Sequence, residues 1–345
     1  MTADLRTVTV VAGGVGAARF LRALLTVVPP TQVTAVVNTG DDTVLHGLTI
    51  SPDLDTVIYT LAGEIDPERG WGLRGETWAA MAALDRFAVV RPDGSDAGGT
   101  WFGLGDRDLA THLYRTARRA EGASPTTVAA EIATAFGVGI RVLPMSDSPC
   151  PTFVRLAASG EEIAFQDYFV RHRHDVAVSA VRCGDPDTPA TAAALGALRD
   201  AEVVVVAPSN PLVSIGPIRA RPGVDDVLGA RRDTVIAVSP IIGGAALKGP
   251  ADRMLRELGH PATVAGVAGI YAPIASTLVI DPVDAELADE VVAAGMRPLV
   301  VPSVMSDPAA GHALAAAVLD AVAPVNEAGR AREARDGGSA DRPSP

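Results

Sequence analysis

The sequence predicts an α/β fold, with a Rossmann-like parallel sheet as its core and a mostly helical insertion within it. Short β-branched runs, such as residues 8–11 and 203–206, are typical of strands buried on both faces of a sheet. Segments with apolar residues at helical spacing lie between several of these runs. Polar or glycine-rich loops follow the strands, at the edge where open α/β sheets bind ligands. The 345 residues, 48% of them hydrophobic, are ample for one or two large cores.

The first predicted strand leads directly into a glycine turn, formed by Gly13, Gly14 and Gly16. A predicted helix follows the turn, and backbone N–H groups at the start of a helix can bind a phosphate. Arg19 stands where a dinucleotide-binding fingerprint has its third glycine, and it could supply a cationic fork to an anion. A tight structural turn is the alternative interpretation of the same glycines.

A group of acidic residues follows the second predicted strand. Asp41 and Asp42 lie in the loop after Asn38, and Asp53 and Asp55 lie at the start of the next helix. Carboxylates on neighbouring loops beside an anion-binding turn predict a Mg²⁺ site, because this ion prefers hard oxygen ligands. The four aspartates are therefore candidates for metal or substrate binding, and Asn38 beside them is a further candidate for substrate binding. Turn and helix-cap chemistry, which aspartate also favours, is the alternative.

Residues 65–139 break the alternation of strands and helices, so we predict that they form the insertion, with a helix at 76–87. We assign 1–64 and 140–323 to the Rossmann-like nucleotide-binding core. The remaining segment, 324–345, is predicted to be a disordered tail, because it consists largely of Arg, Glu, Ala, Gly and Pro.

A hairpin is expected after the insertion, from strands at 152–156 and 162–165. Further along, His172 and His174 alternate with arginine. That alternation is more typical of a solvated strand than of a metal site, because no cysteine or carboxylate completes a zinc ligand set.

Two later loops carry candidate ligand-binding side chains. Ser209, Asn210 and Ser214 lie in a proline-containing loop that follows the buried run 203–206. The loop after the next strand is rich in glycine and carries Lys248, the one lysine in the sequence. Because every other strongly basic residue is arginine, this lysine either marks a place for a compact ammonium or reflects the composition of the chain.

Composition and charge exclude several functional classes. The formal net charge of −12 disfavours nucleic-acid binding. The two cysteines form neither a disulfide framework nor a metal motif, and they are typical of a reducing cytoplasm. Arginine and glycine interrupt the apolar N-terminal run, so no signal peptide or membrane span is predicted. We therefore expect a cytoplasmic protein that acts on small molecules and binds neither nucleic acid nor membrane.

Several motifs, in the same order along the chain, resemble one known family, the 2-phospho-L-lactate transferases of coenzyme F420 biosynthesis. The similarity extends from about Val8 to about Ala321. The motifs are Gly13-Gly14-Val15-Gly16-Ala17-Ala18-Arg19, Val37-Asn38-Thr39-Gly40-Asp41-Asp42, His46-Gly47, Pro52-Asp53-Leu54-Asp55-Thr56, Trp101-Phe102-Gly103-Leu104-Gly105-Asp106-Arg107-Asp108, Ser209-Asn210-Pro211 with Ser214-Ile215, and Ser239-Pro240-Ile241.

The resemblance implies a phosphoryl-transfer reaction between two small molecules. The donor would be GMP joined through a diphosphate to a three-carbon acid, and the acceptor the deazaflavin FO. The terminal ribityl hydroxyl of FO would attack the phosphorus that bears the acid, and GMP would leave. The arginine-rich composition favours the actinobacterial version, in which the acid is enolpyruvate and the product dehydro-F420-0, over the version that uses lactate and gives F420-0. We also expect a homodimer.

The resemblance also implies roles for individual residues. Mg²⁺ on Asp41 and Asp55, with Asp42 or Asp53, would neutralise the diphosphate, and one carboxylate could accept the hydroxyl proton. The glycine turn would cradle phosphate, and the loop after 203–206 would hold the guanosine end. Lys248 is expected to reach the anionic donor. The side chains expected to line the deazaflavin pocket are Met145, Gln166, Phe169 and Arg171.

Two alternative functions remain open at the level of sequence. Non-enzymatic nucleotide-sugar-binding regulators of the same superfamily share the glycine turn. An NAD(P)-dependent oxidoreductase would also use such a turn, but it predicts an acidic residue at the end of the second strand to hold the ribose. Asn38-Thr39 occupies that position here.

Overall fold

The computed structural model describes residues 6–322. The predicted disordered tail, 324–345, lies outside the described residues, as do residues 1–5 and 323. No helix between residues 6 and 322 has both the length and the apolar character needed to cross a membrane.

Fourteen strands are present in the described part of the chain. Most are short, and those at the centre of the main sheet are buried along their whole length. They are β1 (Val8–Ala12), β2 (Val33–Val37), β3 (Thr43–Leu45), β4 (Leu48–Ile50), β5 (Arg141–Pro144), β6 (Thr152–Leu156), β7 (Glu162–Ala164), β8 (Val178–Cys183), β9 (Val203–Val206), β10 (Val235–Val238), β11 (Ile241–Ile242), β12 (Ala245–Ala246), β13 (Thr277–Ile280) and β14 (Arg297–Val300).

Seven of these strands form a parallel sheet in the order β14-β13-β10-β9-β1-β2-β5. The first strand, β1, lies in the interior of the sheet, and β2 and β5 follow it toward one edge. The chain then crosses back, and β9 pairs with the other side of β1. The strand order therefore reverses between β1 and β9. Open α/β sheets bind ligands outside the carboxyl ends of the strands at such a point. The predicted α/β fold with a parallel sheet is confirmed.

Twelve α-helices are present in the same range. They are α1 (Gly14–Leu24), α2 (Pro52–Leu61), α3 (Ala79–Leu84), α4 (Asp108–Ala120), α5 (Pro125–Ala135), α6 (Ala192–Asp200), α7 (Gly216–Arg219), α8 (Val224–Ala230), α9 (Ala251–Glu257), α10 (Val264–Tyr271), α11 (Ala288–Ala293) and α12 (Pro308–Asp320). Short non-α helical turns are Pro30–Gln32, Asp85–Val89, Asp167–Arg171, Arg232–Thr234 and Pro282–Leu287.

The helices cover both faces of the sheet and enclose two apolar cores. On one face, α1, α2, α5 and α12 bury side chains such as Phe20 and Ile58. On the other face, α6 to α11 bury side chains such as Leu198 and Tyr271. Successive residues of β1 alternate between the two cores, with Val10 in the first and Val11 in the second. Burial on both faces explains why these strands are continuous apolar runs.

The hairpin expected after the insertion is present as β6 and β7, and β8 pairs with β6 to complete a three-stranded antiparallel sheet. The solvated strand expected around His172 and His174 is wrong. Asp167–Arg171 forms a π-helical turn, and Arg173 and His174 then adopt left-handed φ values of 50° and 44°. The alternation of histidine and arginine did not produce a strand, because no described strand pairs with this segment. A strand needs a partner for its backbone N–H and C=O groups.

The predicted helix at 76–87 is also shorter in the structure, where α3 covers Ala79–Leu84 and the turn Asp85–Val89 follows. Asp106, in a loop distant in sequence, accepts hydrogen bonds from the backbone N–H groups of Ala79 and Ala80. These two N–H groups at the start of α3 have no partner within the helix. Between residues 65 and 139 the regular structure is helical, apart from one isolated bridge between Ile65 and Leu73. The division of the chain into core and insertion stays a prediction.

Arg221 is the largest fully buried side chain, only 1% exposed. Its guanidinium donates to the carbonyl oxygens of Pro217 at 3.1 Å, Asp185 at 2.8 Å and Thr188 at 3.2 Å, and also to that of Cys183. Backbone carbonyls inside a protein need partners when water cannot reach them. Arg221 therefore ties the end of β8 and the loop after it to α7.

We expect Arg221→Met to lower the free energy of unfolding by about 3 kcal/mol or more, because several buried acceptors lose their donor together. Urea unfolding of the full chain measures this loss. Arg19→Met is the matched control, because Arg19 is exposed and has no hydrogen-bond or ion-pair partner among the described residues. Equal stabilities for the two variants would contradict a fastening role for Arg221.

Candidate functional site

The glycine turn after β1 is held in close contact with the loop after β9. A Cβ on Gly16 would lie 2.1 Å from the carbonyl oxygen of Pro208, so no larger residue fits there. Ser209 Oγ donates to the carbonyl oxygen of Gly13 at 2.6 Å. A Cβ on Gly13 would also lie 2.9 Å from Cβ of Ser214. The structure thus brings the predicted turn, Ser209 and Ser214 together at the point where the strand order reverses.

An acidic side chain lies beside the glycine turn. A Cβ on Gly13 would stand 3.1 Å from Oδ2 of Asp53, and one on Gly14, whose φ is a left-handed 70°, would stand 3.7 Å from its Oδ1. Asp53 lies in the first turn of α2, which packs closely against α1. The sequence indicated only that Asp53 would lie near this turn. The structure places its carboxylate against Gly13 and Gly14, so the glycine turn and the acidic residues form one continuous site.

Asn38 links the acidic side chains that follow β2 and begin α2. Its Nδ2 donates to Oδ2 of Asp53 at 2.9 Å and to Oδ1 of Asp41 at 3.3 Å. Asp42 lies next to Asp41 and accepts a hydrogen bond from Ser51 Oγ at 2.9 Å. We call Asn38, Asp41, Asp42 and Asp53 the carboxylate cluster. Asn38 therefore orients the cluster. An NAD(P) site requires an acidic residue at this position to bind the ribose, and the amide of Asn38 stands there instead.

Arg115 offsets only part of the charge of the carboxylate cluster, because burial raises the pKa of Asp42 although Arg115 lowers it. Burial, and next the charge of Asp53, raises the pKa of Asp41 well above its usual range. Burial raises the pKa of Asp42 to about 8 and that of Asp53 to about 6. No arginine, lysine or histidine of residues 6–322 forms an ion pair with these three carboxylates, and the buried Oδ1 of Asp42 has no hydrogen-bond partner there. Hard oxygen donors with unneutralised charge fit a divalent cation such as Mg²⁺.

Asp55 belongs to a different buried group. It is two residues after Asp53 on α2, and two residues turn a helix by about 200°, so the two carboxylates face away from each other. Asp55 forms an ion pair with Arg115 of α4, and its Oδ2 lies 3.8 Å from Nδ1 of His112. The expectation that Asp41 and Asp55 act side by side does not match this arrangement, because the carboxylate of Asp55 is directed to α4.

We call Asp55, Tyr59, Asp108, His112 and Arg115 the α4 ion cluster. His112 Nε2 lies 3.4 Å from Asp108 Oδ2, and Tyr59 donates its hydroxyl to Asp108 Oδ1 at 2.6 Å. One ligand atom each from Asp55, Asp108 and His112 lies within 4.8 Å of the others. The Arg115 guanidinium and the Tyr59 hydroxyl each satisfy one carboxylate oxygen, whereas Asp55 Oδ2 and His112 Nε2 are buried without a hydrogen-bond partner among the described residues. The α4 ion cluster is therefore a buried polar network in which two ligand atoms remain available.

Sequence reasoning missed the partners of Asp55 on α4. A signal was present, because positions 108, 112 and 115 lie on one face of a helix. All three side chains are buried, together with Thr111. Polar residues at helical spacing on the buried side of a helix indicate a network that must find its partners elsewhere in the fold. The sequence alone could not show that the partner is Asp55.

Asn210 organises its own loop. Its Oδ1 accepts the backbone N–H groups of Leu212 at 2.9 Å and Val213 at 3.4 Å. Its backbone carbonyl accepts the N–H group of Ser214 at 3.1 Å. Asn210 therefore shapes the loop that carries Ser209 and Ser214. Its side-chain oxygen already accepts hydrogen bonds from within this loop.

Lys248 lies close to Gly70, which itself lies beside the glycine turn. A Cβ on Gly70 would stand 3.0 Å from Nζ of Lys248 and 3.8 Å from Cγ1 of Val15, the residue between Gly14 and Gly16. Lys248 is exposed and has no hydrogen-bond or ion-pair partner among residues 6–322. Arg19 is also exposed and without such a partner, on the solvent side of α1. Two unpaired cations thus lie close to the start of α1.

The residues expected to line the deazaflavin pocket separate into two groups. Gln166 lies beside the carboxylate cluster, because its Nε2 donates to the backbone carbonyl of Asp41 at 3.4 Å. Phe169 is 38% exposed and stacks on Phe165 with ring centroids 5.6 Å apart. Met145 is only 1% exposed and packs in the second core with residues of α6. Its assignment to an open pocket is corrected, because a side chain buried in the core offers no surface to a ligand.

Arg171 connects the segment after β7 to the tryptophan-containing loop. Its guanidinium lies 4.5 Å from the centre of the Trp101 ring, within the range of a cation–π contact. It also forms ion pairs with Asp167 at 3.1 Å and Asp96 at 3.6 Å. Arg171 therefore joins the π-helical turn that carries Phe169 to the loop that carries Trp101.

Comparison with known proteins gives one family. The model of the family "2-phospho-L-lactate transferase CofD" matches residues 8–303. Curated proteins named phosphoenolpyruvate transferase are similar over most of their length. The protein of Streptomyces griseus subsp. griseus is 40% identical over 317 residues, which cover 91% of this chain and 97% of that protein. The protein of Mycobacterium avium (strain 104) is 40% identical over 327 residues, which cover 88% and 95%.

A solved structure confirms the fold independently. A member of the UPF0052 family from Bacillus halodurans superposes with a TM-score of 0.60 and covers 92% of this chain and 100% of its own. The two sequences are 16% identical, so this likeness supports the architecture alone.

Proposed function

We propose, from the premise that this chain belongs to the 2-phospho-L-lactate transferase CofD family, that it transfers a phosphoenolpyruvyl group to the deazaflavin FO. Membership makes the chain a transferase of coenzyme F420 biosynthesis. The names of the curated relatives favour enolpyruvate over lactate as the three-carbon acid, and an enzyme over a non-enzymatic regulator. In the proposed reaction the donor is a guanylyl diphosphate of the acid, and the products are GMP and dehydro-F420-0.

The carboxylate cluster is the structural observation that best supports this proposal. Asp41 and Asp53 are buried and Asp42 is half-buried, and none of the three forms an ion pair with another described residue. They lie against a glycine turn, where the strand order reverses. Phosphoryl transfer needs positioning and charge neutralisation more than covalent help. Asp41, Asp42 and Asp53 would hold Mg²⁺, which supplies charge neutralisation to the diphosphate when it is bound. Asp55 was also expected to hold the metal, but its contact with Arg115 leaves the other three as the better ligand set.

The residues of this chain supply the remaining parts of the reaction. The hydroxyl oxygen of FO forms a bond to the phosphorus that bears the acid, and the bond from that phosphorus to the bridging oxygen breaks. GMP leaves with the bridging oxygen, and the hydroxyl proton passes to a carboxylate oxygen of the carboxylate cluster. Ser209, Ser214 and the glycine turn would position the guanylyl end. Gln166, Phe169 and Arg171 would position FO, because an exposed aromatic ring and a guanidinium can stack on a planar ligand.

The proposal is tested by incubating the full chain with FO, Mg²⁺ and either the enolpyruvyl or the lactyl guanylyl donor. Mass analysis should find dehydro-F420-0 and an equal amount of GMP with the enolpyruvyl donor. F420-0 formed faster from the lactyl donor would correct the identity of the acid. Consumption of neither donor, with the wild-type chain folded, would contradict the proposed transfer.

We also propose that the protein is a cytoplasmic homodimer. Sedimentation analysis of the full chain measures the oligomeric state.

Lys248→Ala should reduce kcat/KM for the donor by a factor equivalent to about 1.5–3 kcal/mol, the range for a hydrogen bond to a charged group. The reason is that the Lys248 ammonium has no hydrogen-bond or ion-pair partner among residues 6–322 and lies close to Gly70, beside Val15 of the glycine turn. Lys248→Arg should recover only part of the loss, because the longer planar fork approaches an anion differently. Leu247→Ala, at the exposed neighbouring position, is the control. Unchanged donor kinetics for Lys248→Ala would make the lysine a surface residue.

A further inference from the structure

The loop after α2 approaches the glycine turn from outside the sheet. Asp66 holds this loop in a tight turn, because its Oδ1 accepts the backbone N–H groups of Glu68 and Arg69 at 3.0 and 2.9 Å. The N–H group of Gly70 donates to the backbone carbonyl of Asp66 at 2.9 Å. We call residues 66–74 the Asp66 loop. The turn presents Gly70 to Lys248 and Val15.

Two aromatic rings and an arginine make the Asp66 loop rigid. The Arg69 guanidinium lies 5.4 Å from the centre of the Trp71 ring and 5.3 Å from that of Trp78. Arg69 also forms an ion pair with Asp66 at 2.9 Å and donates to the backbone carbonyl of Leu73 at 3.2 Å. The charge of Arg69 is therefore already used within the loop. Lys248, like Arg19, has no hydrogen-bond or ion-pair partner among the described residues.

We propose that the Asp66 loop positions the Lys248 ammonium beside the glycine turn, and that Gly70 is the positioning residue because a Cβ there would stand only 3.0 Å from Nζ and would displace the ammonium. A lysine side chain has a flexible four-carbon stem, and fixing it costs conformational entropy. A rigid wall on one side of the ammonium restricts the positions it can take before an anion binds. The Asp66 loop would then contribute to donor affinity without contacting the donor. This inference rests on the proposed function, because it concerns how the donor anion is bound.

Gly70 and Gly75 form a matched pair for testing this inference. Both have left-handed backbones, with φ of 76° and 70°, so a substitution strains both alike. A Cβ on Gly70 meets Lys248 Nζ, whereas a Cβ on Gly75 meets no heavy atom within 4 Å. Asparagine is the suitable replacement, because it tolerates left-handed φ better than most residues and adds no charge.

The experiment measures donor kinetics for Gly70→Asn and Gly75→Asn, each alone and combined with Lys248→Ala. We expect Gly70→Asn to raise the donor KM about tenfold or more, as Lys248→Ala does, with the KM for FO unchanged. Gly75→Asn should resemble wild type, and Gly70→Asn should have no further effect once Lys248 is replaced. Melting temperatures of the two asparagine variants check that both fold alike.

Calorimetric titration with GDP, without FO, separates this inference from the proposed function. If the wild-type chain binds no GDP, this inference is overturned, whereas the proposed function fails only if the wild type consumes neither guanylyl donor. If the wild type binds GDP and transfers the acid, this inference alone is overturned by either of two results: equal effects of Gly70→Asn and Gly75→Asn, or a Gly70→Asn effect that persists in the Lys248→Ala background. A Gly70→Asn effect that disappears in that background supports it.

Discussion

Asp41→Asn is expected to reduce transfer at least about 100-fold while leaving the chain folded. Removal of one group that stabilises charge in a transition state commonly costs this much or more. Asparagine keeps the shape of the side chain and its contact with Asn38, but it removes a negative oxygen ligand from the carboxylate cluster. Turnover at saturating donor and FO, over a range of Mg²⁺ concentrations, measures the loss.

The control for Asp41→Asn is Asp93→Asn, because Asp93 is exposed and has no hydrogen-bond or ion-pair partner among the described residues. Asp93→Asn should retain wild-type turnover. Near-normal turnover of Asp41→Asn at ordinary Mg²⁺ concentrations would remove Asp41 from the reaction.

Arg115→Met is expected to lower the free energy of unfolding by about 3–5 kcal/mol, the usual cost of leaving one partner of a buried ion pair alone. Arg115 is 5% exposed, and it pairs with Asp55, which is 4% exposed. Burial already raises the pKa of Asp55 although Arg115 opposes the rise. Without Arg115 that pKa rises further, so the variant loses stability as pH rises above the ordinary range of a carboxyl group. The loss of stability should therefore be smaller at pH 5 than at pH 8.

Denaturant unfolding of Arg115→Met, Asp55→Asn and the double variant measures the coupling between the two side chains. The double variant should be more stable than the sum of the single losses predicts, because neither charge remains buried alone. Strict additivity would show that Arg115 and Asp55 do not stabilise each other.

The α/β fold and the general place of the site could be predicted because they depend on local patterns. The β-branched runs that become β1, β2 and β9 are recognisable without knowing their neighbours, and so are Gly13, Gly14 and Gly16. Parallel strands bring their carboxyl ends to one edge, so the residues that follow these strands were expected near each other. The contact of Ser209 with Gly13 agrees with that expectation.

The partners of the acidic residues could not be predicted, because they depend on which way each side chain points. Asp53 and Asp55 are neighbours in sequence, but α2 directs one to the glycine turn and the other to α4. The sequence separation between Asp55 and Arg115 is 60 residues, so no local pattern joins them. Met145 shows the same limit, because the family resemblance suggested the deazaflavin pocket for it while packing with residues of α6 buries it in a core.

The central claim is that the carboxylate cluster is built for a divalent cation, and the melting temperatures of wild type and Asp41→Asn at pH 7.5 test it most directly. Because the pKa values of Asp41, Asp42 and Asp53 are raised, keeping these groups charged destabilises the metal-free fold, and this cost grows as pH rises from about 4 to about 8. Without Mg²⁺, Asp41→Asn should therefore melt above wild type. Mg²⁺ should raise the melting temperature of wild type strongly and that of the variant little, because a ligand stabilises the state that binds it. A variant that melts below wild type without Mg²⁺, or equal stabilisation of both by Mg²⁺, would contradict the claim.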